Sequence, residues 1–63
     1  MDFHIVSDKN SWWALKLKGS TEPLFTTHRQ ADTIQYWKDN YNKLENILFI
    51  HRKDGTIRAR INA

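Results

Sequence analysis

Sixty-three residues without a single cysteine amount to one domain, residues 1–63, that must hold itself together by packing alone. Ten Lys and Arg against seven Asp and Glu leave a net charge of +3, a bias too mild to demand either nucleic acid or an acidic protein as partner. Disulfides and thiolate metal sites are excluded, no apolar run approaches a membrane span, and the first residues lack the basic and long apolar regions of a signal peptide. A soluble, cytoplasmic protein with no membrane partner is expected.

Residues 3–6 form a short apolar run that reads as a first strand, and the polar cluster at residues 7–11 reads as a turn. Residues 12–18 then alternate. Trp13, Leu15 and Leu17 lie on one face, and Trp12, Ala14, Lys16 and Lys18 on the other. A period of two predicts a strand that buries the first set. Gly19 to Pro23 break it, and Leu24-Phe25-Thr26 suit a short third strand that Pro23 confines to an edge or to its own first position.

Thr27-His28-Arg29-Gln30 has the spacing of a capping box. Ala31, Ile34, Trp37, Tyr41 and Leu44 follow at helical intervals, which predicts a helix of roughly four turns with one apolar stripe. Residues 46–62 complete the chain as two runs flanking Asp54-Gly55, the dipeptide suited to a two-residue type I′ turn. That turn sets Leu48, Ile50, Ile57, Ala59 and Ile61 on one face, and Phe49, His51, Arg58 and Arg60 on the other. An α+β domain follows, a two-layer ββ(β)αββ arrangement with an antiparallel sheet and one helix packed on one face. The expected core is Ile5, Trp13, Leu15, Leu17, Ala31, Ile34, Trp37, Tyr41, Leu44, Leu48, Ile50, Ile57, Ala59 and Ile61.

Four pieces of the chain carry a resemblance: His4-Ile5-Val6; Trp13-Ala14-Leu15-Lys16 with Gly19; Thr27 with Gln30-Ala31; and His51-Arg52-Lys53-Asp54-Gly55-Thr56-Ile57. In this order they span nearly the whole sequence, which resembles a family of small bacterial domains of unknown function. The resemblance implies the α+β fold and supplies no activity. The helix departs from the family's small alanines, with Ile34, Tyr36, Trp37 and Tyr41 in their place, which marks a surface special to this member.

Chemistry is sparse. His4 and His51 suit neighbouring strands, but His28 sits in the helix's first turn, and the three lack the ligand number or spacing of a zinc site. His51 reads as a cross-strand partner of Arg58 or a surface residue. The acids are scattered over turns, strand ends and the solvated helix side, no serine has a partnered base, and two glycines make no phosphate loop. No enzyme activity, no metal and no cofactor are therefore expected. What remains is the outer face of the sheet, where Trp12, Lys16, Lys18, Phe49, His51, Arg58 and Arg60 mix aromatic and cationic side chains. Such a mixture serves as protein-interface anchors, or as stacking and phosphate contacts for nucleic acid. The bland reading is a solvated sheet face covered by long cationic stems. The favoured expectation is a non-enzymatic module that binds protein as an adaptor or inhibitor. Nucleic-acid binding through the same face is the alternative, and pairing of two copies into a homodimer is a further one.

Overall fold

Period-two alternation dictates which residues face inward, and strand pairing dictates which neighbours they meet. The computed structural model describes residues 1–63 apart from the side chain of Asn10. Strand β1 (Asp2–Ser7) pairs antiparallel with β2 (Trp13–Leu17), Ile5 opposite Leu15 and Phe3 opposite Leu17. The connection is a single 3₁₀ turn over Lys9–Ser11, capped by the Asp8 carboxylate, which accepts from the Lys9 amide at 2.8 Å. As the alternation requires, Trp13 and Leu15 are buried while Trp12 stands 37% exposed.

Leu24-Phe25-Thr26 do form a strand, β3 (Pro23–Thr27), antiparallel to β2. Pro23 is its first residue, and β3 is also an edge, so the missing proline N–H costs no ladder bond. Helix α1 (Gln30–Asn40) follows, packed chiefly over β2 and β3, and leads into the hairpin of β4 (Ile47–His51) and β5 (Ile57–Asn62). The sheet order is β3-β2-β1-β4-β5. The α+β fold with one helix on the sheet is as expected, with one correction: the sheet is mixed. β1 and β4 run parallel, Phe3 beside Leu48 and Ile5 beside Ile50, because the helix returns the chain to the end of the sheet from which β1 started.

The core lies between α1 and this sheet: Phe3, Ile5, Trp13, Leu15, Leu48 and Ile50 gather around Trp37, which is fully buried. Phe3 meets Trp37 edge-on, with ring centroids 6.2 Å apart, and Tyr41 at 4.9 Å. Three expected core residues lie elsewhere. Ala31 and Leu44 are exposed, and Ile57 is 53% exposed. Ala31, six residues before Trp37, lies about 120° round the helix from it and so faces away, while Leu44 is lost because the helix is shorter and later than the spacing suggests. Thr27 belongs to β3, the N-cap is Arg29 without a side-chain cap bond, and the helix ends at Asn40 before Leu44 can join the stripe. Thr33, four residues before Trp37, takes the vacant inward position. It is fully buried and satisfies its hydroxyl by donating to Gln30 O at 2.5 Å.

Ile57 is displaced by the hairpin. Gly55 N donates to Arg52 O at 3.0 Å, and Arg52 N donates to Thr56 O at 2.7 Å. The loop is therefore the three residues Lys53-Asp54-Gly55, with positive φ (+92°) at Gly55 and not at Asp54, instead of a two-residue type I′ turn. Asp54 instead accepts from the Thr56 amide at 2.9 Å and the Thr56 hydroxyl at 2.6 Å. Register is as expected at Leu48–Ile61 and Ile50–Ala59, then shifts so that His51 opposes Ile57 and Arg58 is extra. That bulge turns Ile57 outward.

Two stability measurements test this description. Trp37→Ala is expected to cost about 3–5 kcal/mol, enough to unfold most of so small a domain. Trp37→Phe should cost clearly less, since it also removes an indole N–H that has no hydrogen-bond partner. Equal losses in denaturant titrations would misplace Trp37. A Cβ at Gly55 would meet nothing within 4 Å, so Gly55→Ala should cost only the left-handed backbone penalty, about 1–2 kcal/mol. Gly55→Asn should recover part of that loss. An alanine variant as stable as the parent would contradict the positive φ.

Candidate functional site

The outer face of the sheet carries one continuous row of side chains, set by register alone. Lys16 on β2 opposes His4 on β1, His4 lies beside Phe49 on β4, and Phe49 opposes Arg60 on β5. His4 and Phe49 stack with centroids 5.1 Å apart and planes 19° apart. Arg60 lies over the Phe49 ring, its guanidinium carbon 5.7 Å from the centroid, and its Nε donates to Asn62 Oδ1 at 3.1 Å. Since β1 and β5 flank β4, Phe49 is held between His4 and Arg60.

His51, two residues beyond Phe49 along β4, flanks the row. Its Nδ1 lies 3.0 Å from Gly55 O, and its Nε2 lies 2.9 Å from His4 Nδ1. A carbonyl only accepts, so Nδ1 of His51 carries a hydrogen. Neutral His51 then presents a bare Nε2, to which the His4 Nδ1–H donates, leaving His4 Nε2 as a free acceptor. A proton added at His4 Nε2 leaves this bond in place, because one hydrogen between the rings suffices. Burial, and then the charge of His51, push the His4 pKa down from 6.5; Lys18 adds to this and Asp2 opposes it.

The remaining expected surface residues separate. Lys18, just past β2, is close enough to His4 for its charge to act there. Trp12 sits four positions along from Lys16, about 13 Å at strand spacing, with buried Ala14 and half-buried Val6 in the row between. It packs against His28 at 3.7 Å and forms with Asp8, Lys9 and Thr26 a shallow hollow of about 280 Å³. Arg58 does not oppose His51. The bulge sends it to the first residue of α1, where it donates to Gln30 Oε1 at 2.6 Å, while Gln30 Nε2 donates to His51 O at 2.8 Å. Lys16, Phe49, His51 and Arg60 thus come together with Lys18 beside them, whereas Trp12 and Arg58 lie apart. His4 is the member left out of the expected surface: a place on a strand neighbouring that of His51 was legible, but only the parallel β1–β4 pairing sets it beside Phe49. Among the described residues, no three His, Asp or Glu side chains converge as metal ligands would. No helix is long and apolar enough to cross a membrane.

The lowered His4 pKa gives a signed pH dependence. The unfolded chain takes up the proton first, so stability is full above pH 6.5 and declines as pH falls from there through the lower folded value. Asp54, held below 3.8 by its two bonds to Thr56, gives a separate decline below that pH. In His4→Phe, which keeps the stack on Phe49, the upper decline in the denaturation midpoint should disappear while the lower one persists. A variant retaining the parent's slope just below pH 6.5 would refute the assignment to His4.

Neither the curated proteins nor the solved structures contain a match to this chain. A family model described as an uncharacterized protein conserved in bacteria (DUF2188) matches residues 3–62. With nearly every residue inside that match, the chain belongs to the DUF2188 family of bacteria.

Proposed function

We propose that this protein is a non-enzymatic binding module whose outer sheet face docks on an acidic surface of another protein, as an adaptor or inhibitor. The observation that carries this reading is the row Lys16, His4, Phe49, Arg60, with Lys18 and His51 at its margins. It offers cations around one aromatic ring, with Asp2 as the acid among the groups that act on His4.

The state of the aromatics favours protein over nucleic acid. Reading single-stranded bases takes ring faces that are free to stack. Phe49 is occupied by His4 and by Arg60, and Trp12 is packed on His28. These rings offer edges and apolar bulk, which suit a protein interface with cationic anchors. Nucleic acid remains the alternative, resting on the same cations alone.

A tagged-protein pulldown from bacterial lysate, with and without nuclease, separates the two. One stoichiometric partner that resists nuclease is expected, bound less well by Phe49→Ala by about 1–2 kcal/mol or more. Binding that disappears with nuclease would overturn the reading. So would affinity for single strands falling by roughly 0.7 log units per phosphate contact for each log unit of salt.

A further inference from the structure

The chain's net charge is concentrated in one place. Residues 51–62 hold four cations, Arg52, Lys53, Arg58 and Arg60, against Asp54 alone; the remaining cations and acids, six of each, cancel. This segment contains β5, an edge of the sheet. Three of the four cations rest on neutral acceptors: Arg52 on Thr56 Oγ1 and Ile57 O, Arg58 on Gln30 Oε1, and Arg60 on Asn62 Oδ1.

The backbone of β5 has a definite polarity across the strand. Ala63 N donates to Asn46 O at 3.0 Å. Hydrogen-bonded pairs alternate in an antiparallel ladder, so Leu48–Ile61 and Ile50–Ala59 are the bonded pairs. The N–H and C=O groups of Arg60 and Asn62 therefore point away from β4 to the open edge. β3, the opposite edge, begins at a proline and its pairing with β2 is broken by a register shift. β5 contains no proline.

We infer that β5 takes up an extended acidic segment of a partner protein as a sixth, antiparallel strand, with acidic residues opposite Arg60 and Asn62 and apolar ones opposite Ala59 and Ile61. The inference rests on the binding-module reading and names its partner's chemistry. A residue directly opposite Arg60 shares its outer face, so its carboxylate meets the guanidinium while its amide pairs with the Arg60 backbone. Residues opposite Ala59 and Ile61 fall on the helix side, where both side chains are only half-buried. A second copy of this chain supplies no counter-charge at the edge, because β5 (Ile57–Asn62) contains no acid to set opposite Arg60.

The experiment uses the full chain and an alternating Glu-Val peptide, followed by amide exchange and chemical-shift mapping. Before addition, the Ala59 and Ile61 amides should exchange slowly and those of Arg60 and Asn62 fast. On saturation the latter two should become protected. Methylating the peptide's Glu amides, which face β5, should abolish binding, whereas methylating its Val amides should not. Arg60→Glu should weaken binding about tenfold or more. Should that variant unfold, the two methylated peptides decide on the unaltered protein. Shifts at Lys16, His4 and Phe49 without protection of Arg60 and Asn62 would overturn the added strand and leave face binding standing. Oligothymidylate binding in place of peptide, or no binding by either, would overturn both. Self-association that protects Arg60 and Asn62 without peptide would overturn the acidic-segment assignment.

Discussion

The pairing of β1 with β4 is the constraint on which the rest of this structure depends. It joins the β1–β2–β3 meander to the β4–β5 hairpin, and it is parallel, so no tight turn can make it. The crossover through α1 makes it instead, and the helix is held by the residues the pairing aligns. Phe3 and Ile5 from one unit, with Leu48 and Ile50 from the other, form the floor under Trp37. Hydrogen bonds fix the same junction: Ile47 N donates to Met1 O at 2.9 Å, and the N-terminal ammonium donates to Glu45 O and Asn46 Oδ1. Neither strand unit has a core of its own without the other, which is why a single side chain in the helix can matter so much to so short a chain.

The same register creates the outer row. Sliding β4 by one residue against β1 would exchange Leu48 and Phe49 between faces, destroying the floor and the His4–Phe49 stack together. Inner packing therefore enforces outer geometry, and the outer row needs no separate device to hold it. The bulge at Arg58 is the exception. It takes one arginine out of the face and ties it to Gln30, which also holds His51 O, so the hairpin is fastened to the start of the helix at both strands. A face with one cation fewer is the consequence of a better anchored hairpin.

Local patterns in the sequence were legible wherever one period governed them. Alternation in residues 12–18 correctly separated Trp13 and Leu15 from Trp12, and Pro23 correctly marked an edge. The helix was legible as an element but not in its limits. Thr27 suits a cap and equally suits a strand, and its cross-strand neighbour Trp13 decides the matter. Asp-Gly marked the hairpin, yet the same dipeptide serves a three-residue loop when Asp54 binds Thr56, and that one extra residue brings in the bulge and exposes Ile57. The parallel pairing left no local trace, because it is a relation between residues more than forty positions apart. With it went the place of His4 beside Phe49, although strands that neighbour each other were legible for His4 and His51, and so the part of the candidate site that depends on the register between distant strands.

Why the face keeps its aromatics closed follows from the size of the domain. With so little interior, part of the apolar surface has to stand outside, and an exposed ring on an edge-bearing sheet invites nonspecific pairing. Stacking His4 on one side of Phe49 and laying Arg60 over the other reduces that exposure while leaving charge outermost. Under the proposed binding, a partner would then be chosen by charge before it reached anything apolar. Uncharged strands would find an arginine in the way, whereas the proposed acidic one would find its counter-charge and, behind it, the ring and the open backbone of β5. The arrangement that covers the ring is thus the one that would select the proposed partner.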